Sequence, residues 1–67
     1  MSADVVNDYR DRQIQRLARE LDRVDRLFTA YQHTREENPE LAESFREQSF
    51  SHFYAARAIQ RQIARVR

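Results

Sequence analysis

The residues with the clearest capacity for chemistry are five arginines in the first half of the chain. Their 4-3-4-3 spacing places them on one face of a helix. We call them the arginine row: Arg12, Arg16, Arg19, Arg23 and Arg26. Guanidinium groups match the geometry of phosphate, so the row predicts a surface for RNA or DNA. The competing interpretation is a solvated face whose arginines pair with neighbouring acids, and the net charge of only +1 favours it.

Aromatic and arginine side chains form a second cluster, farther along the chain. Phe50, Tyr54, Arg57 and Arg61 share one flank of a predicted helix, and Phe53 lies beside them. These residue types are the ones that anchor protein interfaces. The cluster therefore predicts either a docking surface for another protein or an area that a homodimer buries, and we favour the homodimer.

Residue types that carry catalysis or hold metals are scarce. The chain has no Cys and no Gly, which excludes thiolate sites, a cysteine nucleophile and glycine-rich phosphate loops. Its two histidines, His33 and His52, lie in no His-x-x-x-His or Glu-x-x-His pattern, and no third partner joins Ser49 and His52 in a triad. We expect no enzymatic activity, no cofactor and no metal site.

Two helices must position these residues. The sole proline, Pro39, follows Asn38, which can cap a helix, and Glu40 and Glu43 suit the positive end of a helix dipole. Elsewhere Arg, Gln, Glu, Ala and Leu dominate, and no helix breaker interrupts them. The sequence predicts an all-α chain whose residues 1–67 form one hairpin, with helix 1 over about 4–36, a turn over about 36–39 and helix 2 over about 39–66.

Apolar spacing predicts the seam, meaning the positions on each helix that face the other helix. In helix 1 the spacing is 3-4-3-4-3, through Ile14, Leu17, Leu21, Val24, Phe28 and Tyr31. In helix 2 it is 4-3-4-3-4-3, through Phe45, Ser49, His52, Ala56, Ile59, Ile63 and Val66. The short connection makes the helices antiparallel. A fold at about residue 38 then places Phe28 opposite Ser49 and Val24 opposite His52.

A hairpin of this length offers little burial by itself. Ordering it costs on the order of 100 kcal/mol, which one row of paired side chains does not offset. Apolar residues off the predicted seam supply further area, and exposed they would form a patch typical of an interface. We therefore expect a symmetric homodimer, a four-helix bundle. Its predicted interface comprises Phe50, Phe53, Tyr54, Arg57, Arg61, Tyr9 and Leu27.

Charge distribution predicts how the two hairpins are oriented. Residues 57–67 contain four Arg and no acid, and residues 1–20 contain four of each. Residues 21–56 contain seven acids and four Arg. The open end of the hairpin is thus +4 and the turn end −3. An antiparallel dimer lays each basic end along the acidic end of the other hairpin, so we expect that orientation.

These features together predict a small non-enzymatic regulatory or adaptor protein. It would act as a helical-hairpin homodimer through contacts with another protein. The alternative is an RNA- or DNA-binding dimer that uses the arginine row. No apolar run approaches the roughly 18 residues of a membrane span, and the start of the chain is acidic where a signal peptide is basic. We therefore expect a cytoplasmic protein with no membrane partner.

Overall fold

A computed structural model describes residues 3–65, which form two antiparallel helices. Helix α1 spans Ala3–Thr34 and helix α2 spans Pro39–Arg65, and the two pack along their length. The hairpin is elongated, with extents of 54 × 14 × 10 Å. No strand occurs within residues 3–65. The predicted all-α two-helix hairpin is confirmed.

The turn is built by side-chain caps. At the end of α1 the Thr34 hydroxyl donates to the carbonyl of Ala30 at 2.8 Å, and the amide of Asn38 donates to the carbonyl of Thr34 at 2.8 Å. At the start of α2 the Asn38 side-chain oxygen accepts a hydrogen bond from the amide of Leu41 at 3.2 Å. This contact satisfies one of the free amides of the first turn, as expected for an N-cap. Helix α1 ends two residues before the predicted position.

Replacement of the cap gives the first testable prediction. We expect Asn38→Ala to lower the free energy of unfolding by about 1 kcal/mol, because the amide of Leu41 loses its acceptor. Urea denaturation followed by circular dichroism measures the change. Asn7→Ala is the matched control, since Asn7 is exposed within α1 and alanine has the higher helix propensity. Equal effects of the two substitutions would show that Asn38 is not a cap.

The seam of α2 is the one that the sequence predicts. Phe45, Ser49, His52, Ala56, Ile59 and Ile63 are all buried or half-buried, and Ala42 extends the row toward the turn. Val66, the last predicted seam position, lies outside the described residues. Three small residues, Ala42, Ser49 and Ala56, recur every seven positions, so α1 can approach α2 closely along that line.

The seam of α1 was predicted correctly at alternate positions only. Leu17, Val24 and Tyr31 are half-buried as expected, whereas Ile14, Leu21 and Phe28 are exposed. The residues that precede these three take their places: Gln13, Glu20 and Leu27. Helix α1 is therefore rotated from the predicted orientation. Two polar contacts account for the rotation, because the Ser49 hydroxyl donates to the carbonyl of Val24 at 3.2 Å and His52 binds Glu20.

The register also differs from the prediction, by about one turn. Ser49 lies opposite Val24 instead of Phe28, and His52 lies opposite Glu20 instead of Val24. The cause is the position of the turn. Because α1 ends at Thr34 and α2 begins at Pro39, the chain folds back earlier than residue 38. Each residue of α2 consequently meets a residue nearer the start of α1.

Little of the hairpin is a true core. Its buried apolar residues are Ala42, Ala56 and Ile59, joined by the polar residues Gln13 and Ser49. No large side chain among residues 4–65 is fully buried. A narrow seam of this kind leaves large apolar side chains of both helices exposed to water.

Candidate interaction surfaces

The two broad faces of the hairpin are defined by the seam. Two antiparallel helices are related by an approximate two-fold axis perpendicular to the plane that contains them. Residues that follow a seam position by one therefore lie on the same face in both helices, and residues that precede one lie on the opposite face. The two faces differ sharply in chemistry.

The first face carries five large apolar side chains, and we call it the apolar face. Helix α1 contributes one residue every seven positions, each following a seam position, and α2 contributes two phenylalanines. The five residues are Ile14, Leu21, Phe28, Phe50 and Phe53. Their exposed fractions lie between 40% and 48%. Ile14, Leu21 and Phe28 were predicted to lie in the seam, so the rotation of α1 moves them to the surface.

Arginines of α2 border the apolar face. The guanidinium carbon of Arg46 lies 5.4 Å from the centre of the Phe50 ring, and that of Arg57 lies 6.0 Å from the centre of the Phe53 ring. Such cation–π contacts hold an aromatic ring in place while its outer side stays open. Two of the predicted interface aromatics, Phe50 and Phe53, thus lie on one face with fixed neighbours.

Arg46 also connects this face to the acidic start of α2. Its Nε donates to the Glu43 carboxylate, 3.0 Å from Oε2. This hydrogen bond lowers the pKa of Glu43 below its ordinary value and raises the pKa of Arg46. Glu43 therefore contributes stability above the ordinary pKa of a glutamate, and this contribution is lost as pH falls through the lowered value.

Tyr54 and Arg61 lie on the outer side of α2, away from α1. Tyr54 is the most exposed large apolar residue of the described chain, at 68%. With Glu47, Phe50 and Ser51 it lines a shallow cleft of about 430 Å³. Arg57 follows the seam position Ala56 and so lies at the edge of the apolar face, over the Phe53 ring. We call Tyr54 and Arg61 the outer patch.

The other two predicted interface residues lie elsewhere. Leu27 is half-buried in the seam, although the sequence prediction placed it off the apolar stripe. Tyr9 precedes a seam position and so lies on the face opposite the apolar face, 39% exposed. The structure therefore separates the predicted interface residues into a seam position, two opposite faces and an outer patch.

The arginine row occupies the face opposite the apolar face. Every member precedes a seam position of α1 by one residue. Four members have a partner within their own helix. Arg12 binds Asp8 at 2.7 Å, Arg16 binds Gln13 at 3.2 Å, Arg23 binds Glu20 at 3.4 Å and Arg26 binds Asp22 at 3.0 Å. Three of the four partners are acids, which agrees with the interpretation of the row as a solvated face, and the partner of Arg16 is an amide.

His52 and Glu20 form the main polar contact across the seam. The Nδ1 atom of His52 lies 2.6 Å from Oε2 of Glu20, and the ring N–H donates to the carboxylate. The side chains are 32% and 19% exposed. His52 is thus hydrogen-bonded inside the seam, while His33 is exposed near the turn. The other oxygen of Glu20 faces Arg23, which ties the arginine row to the seam.

This pair gives the second prediction. Alanine substitution of Glu20 and His52, singly and together, should reveal a coupling of about 1 kcal/mol, because the contact is partly shielded from water. The exposed Asp22–Arg26 pair is the matched control and should couple by about 0.3 kcal/mol. Urea unfolding of the two sets of variants at pH 7 measures both values. A Glu20–His52 coupling no larger than the control would contradict a role for this pair in setting the rotation of α1.

Within residues 3–65, no group of three or more His, Asp or Glu side chains is placed to hold a metal ion. In the same part of the chain, neither helix is long and apolar enough to cross a membrane.

Comparison of the chain with protein families, with curated proteins and with solved structures found no match.

Proposed function

We propose that this chain is a small non-enzymatic regulatory or adaptor protein that acts through protein–protein contacts. Its working form is a homodimer of helical hairpins, an antiparallel four-helix bundle. The observation that supports this proposal is the apolar face, whose five large side chains each remain at least 40% exposed in the isolated hairpin. A contiguous exposed apolar area of this kind marks an interaction site.

The outer patch is the surface that such a dimer offers to another protein. It lies on the side of α2 that faces away from α1, so packing of the apolar faces leaves it accessible. Tyrosine and arginine, the types of Tyr54 and Arg61, are among the residues that dominate the energy of protein interfaces. Among the described residues, Arg61 forms no ion pair within the hairpin, which leaves its guanidinium group for a partner.

Co-expression of two differently tagged copies tests the proposal. We expect purification through either tag to recover the copy that carries the other tag. A host protein should copurify with the two copies, also after nuclease treatment. Tyr54→Ala with Arg61→Gln should release the host protein and leave the association of the two copies unchanged. Gln48→Ala with Ser44→Ala is the control, since both residues are exposed on the opposite side of α2 from the apolar face. Failure of the two copies to copurify would refute the homodimer.

A second candidate function is binding of RNA or DNA through the arginine row. One observation favours it: the row lies on the face that a dimer joined through its apolar faces leaves open. If this function is correct, the immobilised protein should retain mixed RNA or duplex DNA at low salt. The amount retained should fall steeply as the salt concentration rises. The double substitution Arg16→Gln and Arg19→Gln should then lower the slope of log affinity against log salt concentration by about two, one for each phosphate contact that is lost. Absence of retention at low salt would exclude it.

A further inference from the structure

We propose that the apolar face is occupied by the apolar face of a second copy, in the antiparallel orientation, with Leu21 and Phe53 at the two-fold axis. This inference rests on the proposed homodimer and specifies which surface forms it and in which orientation. The interface predicted from sequence differs, because it includes Tyr9 and Leu27 and omits Ile14, Leu21 and Phe28.

The area of the face suits a second copy. Five side chains, each exposing somewhat less than half of about 200–240 Å², present on the order of 500 Å² of apolar-residue surface per hairpin. A stable interface buries roughly 800 Å² per partner, with an apolar centre and a polar rim. The apolar face supplies such a centre, and Arg46 and Arg57 lie where the rim would be.

The spacing of the face favours the antiparallel orientation. In α1, Ile14 and Phe28 each lie seven residues from Leu21, about 10 Å along the helix. If α1 packs against α1 of the second copy about Leu21, then Leu21 meets its counterpart and Ile14 meets the partner subunit's Phe28. All three apolar residues of α1 are covered. The observed register places Phe53 at the level of Leu21, so the same axis brings the two Phe53 rings together.

The parallel orientation, with both turns at one end, covers the face less well. Helix α1 would then lie on α2 of the second copy at matching heights. Leu21 would still meet a phenylalanine, but Phe28 would lie against the partner subunit's Arg46 and Ile14 against the partner subunit's Gln60. Two of the three apolar contacts would be exchanged for contacts with polar side chains.

Charge favours the same orientation. The end of α2 after residue 56 contains only basic residues among its charged side chains, and residues 36–47 near the turn contain five acids. In the antiparallel dimer Arg57 lies within about one turn of the partner subunit's Glu47, on the far side of Phe53. In the parallel dimer the two turns would bring their acids together, which is unfavourable.

Single cysteines test this arrangement, because the natural chain contains none. Leu21→Cys should form a disulfide-linked dimer under mild oxidation about tenfold faster than the control Gln15→Cys, since only facing residues have the required spacing. Gln15 is exposed on the side of α1 away from the seam. A mixture of Ile14→Cys and Phe28→Cys chains should link into mixed dimers, which covers the case in which Leu21→Cys disturbs the fold.

The outcomes separate this inference from the proposed function. Fast linkage between Leu21→Cys and Phe53→Cys chains, without linkage of Leu21→Cys to itself, would show the parallel orientation and overturn the inference while the homodimer stands. A dimer by sedimentation in which none of these cysteines links faster than Gln15→Cys would overturn the choice of face. A monomer would overturn both this inference and the proposed homodimer.

Discussion

Leu21→Glu should convert the dimer into monomers at micromolar concentration. Leu21 is 43% exposed in the hairpin and lies at the centre of the apolar face, so the substitution changes little within one chain. In the dimer it would bring two carboxylates together in an apolar environment, which costs several kcal/mol. We expect the dissociation constant to rise by at least about 100-fold, which corresponds to about 2.7 kcal/mol. Sedimentation equilibrium over a range of concentrations measures this change.

Gln15→Glu is the matched control for Leu21→Glu. It introduces a carboxylate on the same helix, at an exposed position on the side away from the seam. The control should dissociate with the wild-type constant. If Leu21→Glu also kept the wild-type constant, the apolar face would not be the dimer interface.

Ala56→Leu should cause a large loss of stability. Ala56 is 2% exposed and is one of the three small residues along which α1 approaches α2. A leucine there has no space unless the helices separate, and overpacking of this kind costs about 1–3 kcal/mol. Separation of the helices would also weaken the Glu20–His52 and Ser49–Val24 contacts, which lie next along the seam toward the turn. Urea unfolding at one fixed protein concentration measures the loss.

Ala58→Leu provides the comparison, because Ala58 is exposed on the same helix two residues later. Alanine and leucine have similar helix propensities, so this substitution should change the free energy of unfolding by less than about 0.5 kcal/mol. Equal midpoints for the two leucine variants would show that α1 does not pack closely at Ala56.

The features that depend on local sequence were predictable. Asn38 and Pro39 indicate a helix start on chemical grounds, and the structure has the cap there. The seam of α2 was also predictable, because Phe45, Ala56, Ile59 and Ile63 share one 3-4 register, into which Ser49 and His52 fall. The all-α hairpin follows from these local features and from the short connection.

The rotation of α1 depends on contacts between helices and was not predictable from spacing. Gln13 and Ile14 are neighbours, as are Glu20 and Leu21, so each alternative keeps a 3-4 spacing through Leu17 and Val24. Apolarity favours Ile14 and Leu21, but the structure selects Glu20, whose partner His52 is 32 positions away in the sequence. The signal that would have identified this orientation is the presence on α1 of an acid, Glu20, that can meet His52 across the seam.

The candidate interface changed for the same reason. With Ile14, Leu21 and Phe28 assigned to the seam, the residues of α1 that the sequence prediction placed in the interface were Tyr9 and Leu27. Rotation of the helix exchanges these groups: Leu27 becomes half-buried and the other three form an exposed stripe. The assignments on α2 did not depend on that rotation, so Phe50 and Phe53 belong to the interface in both accounts.

The central claim is that one hairpin does not bury its apolar residues and that a second copy covers them. Sedimentation equilibrium between about 1 and 100 µM tests it most directly, combined with thermal unfolding of the same samples. We predict a mass of twice 8.1 kDa at the upper concentrations, a shift toward 8.1 kDa on dilution, and a midpoint that falls with concentration. A mass of 8.1 kDa throughout, with a cooperative midpoint independent of concentration, would contradict the claim.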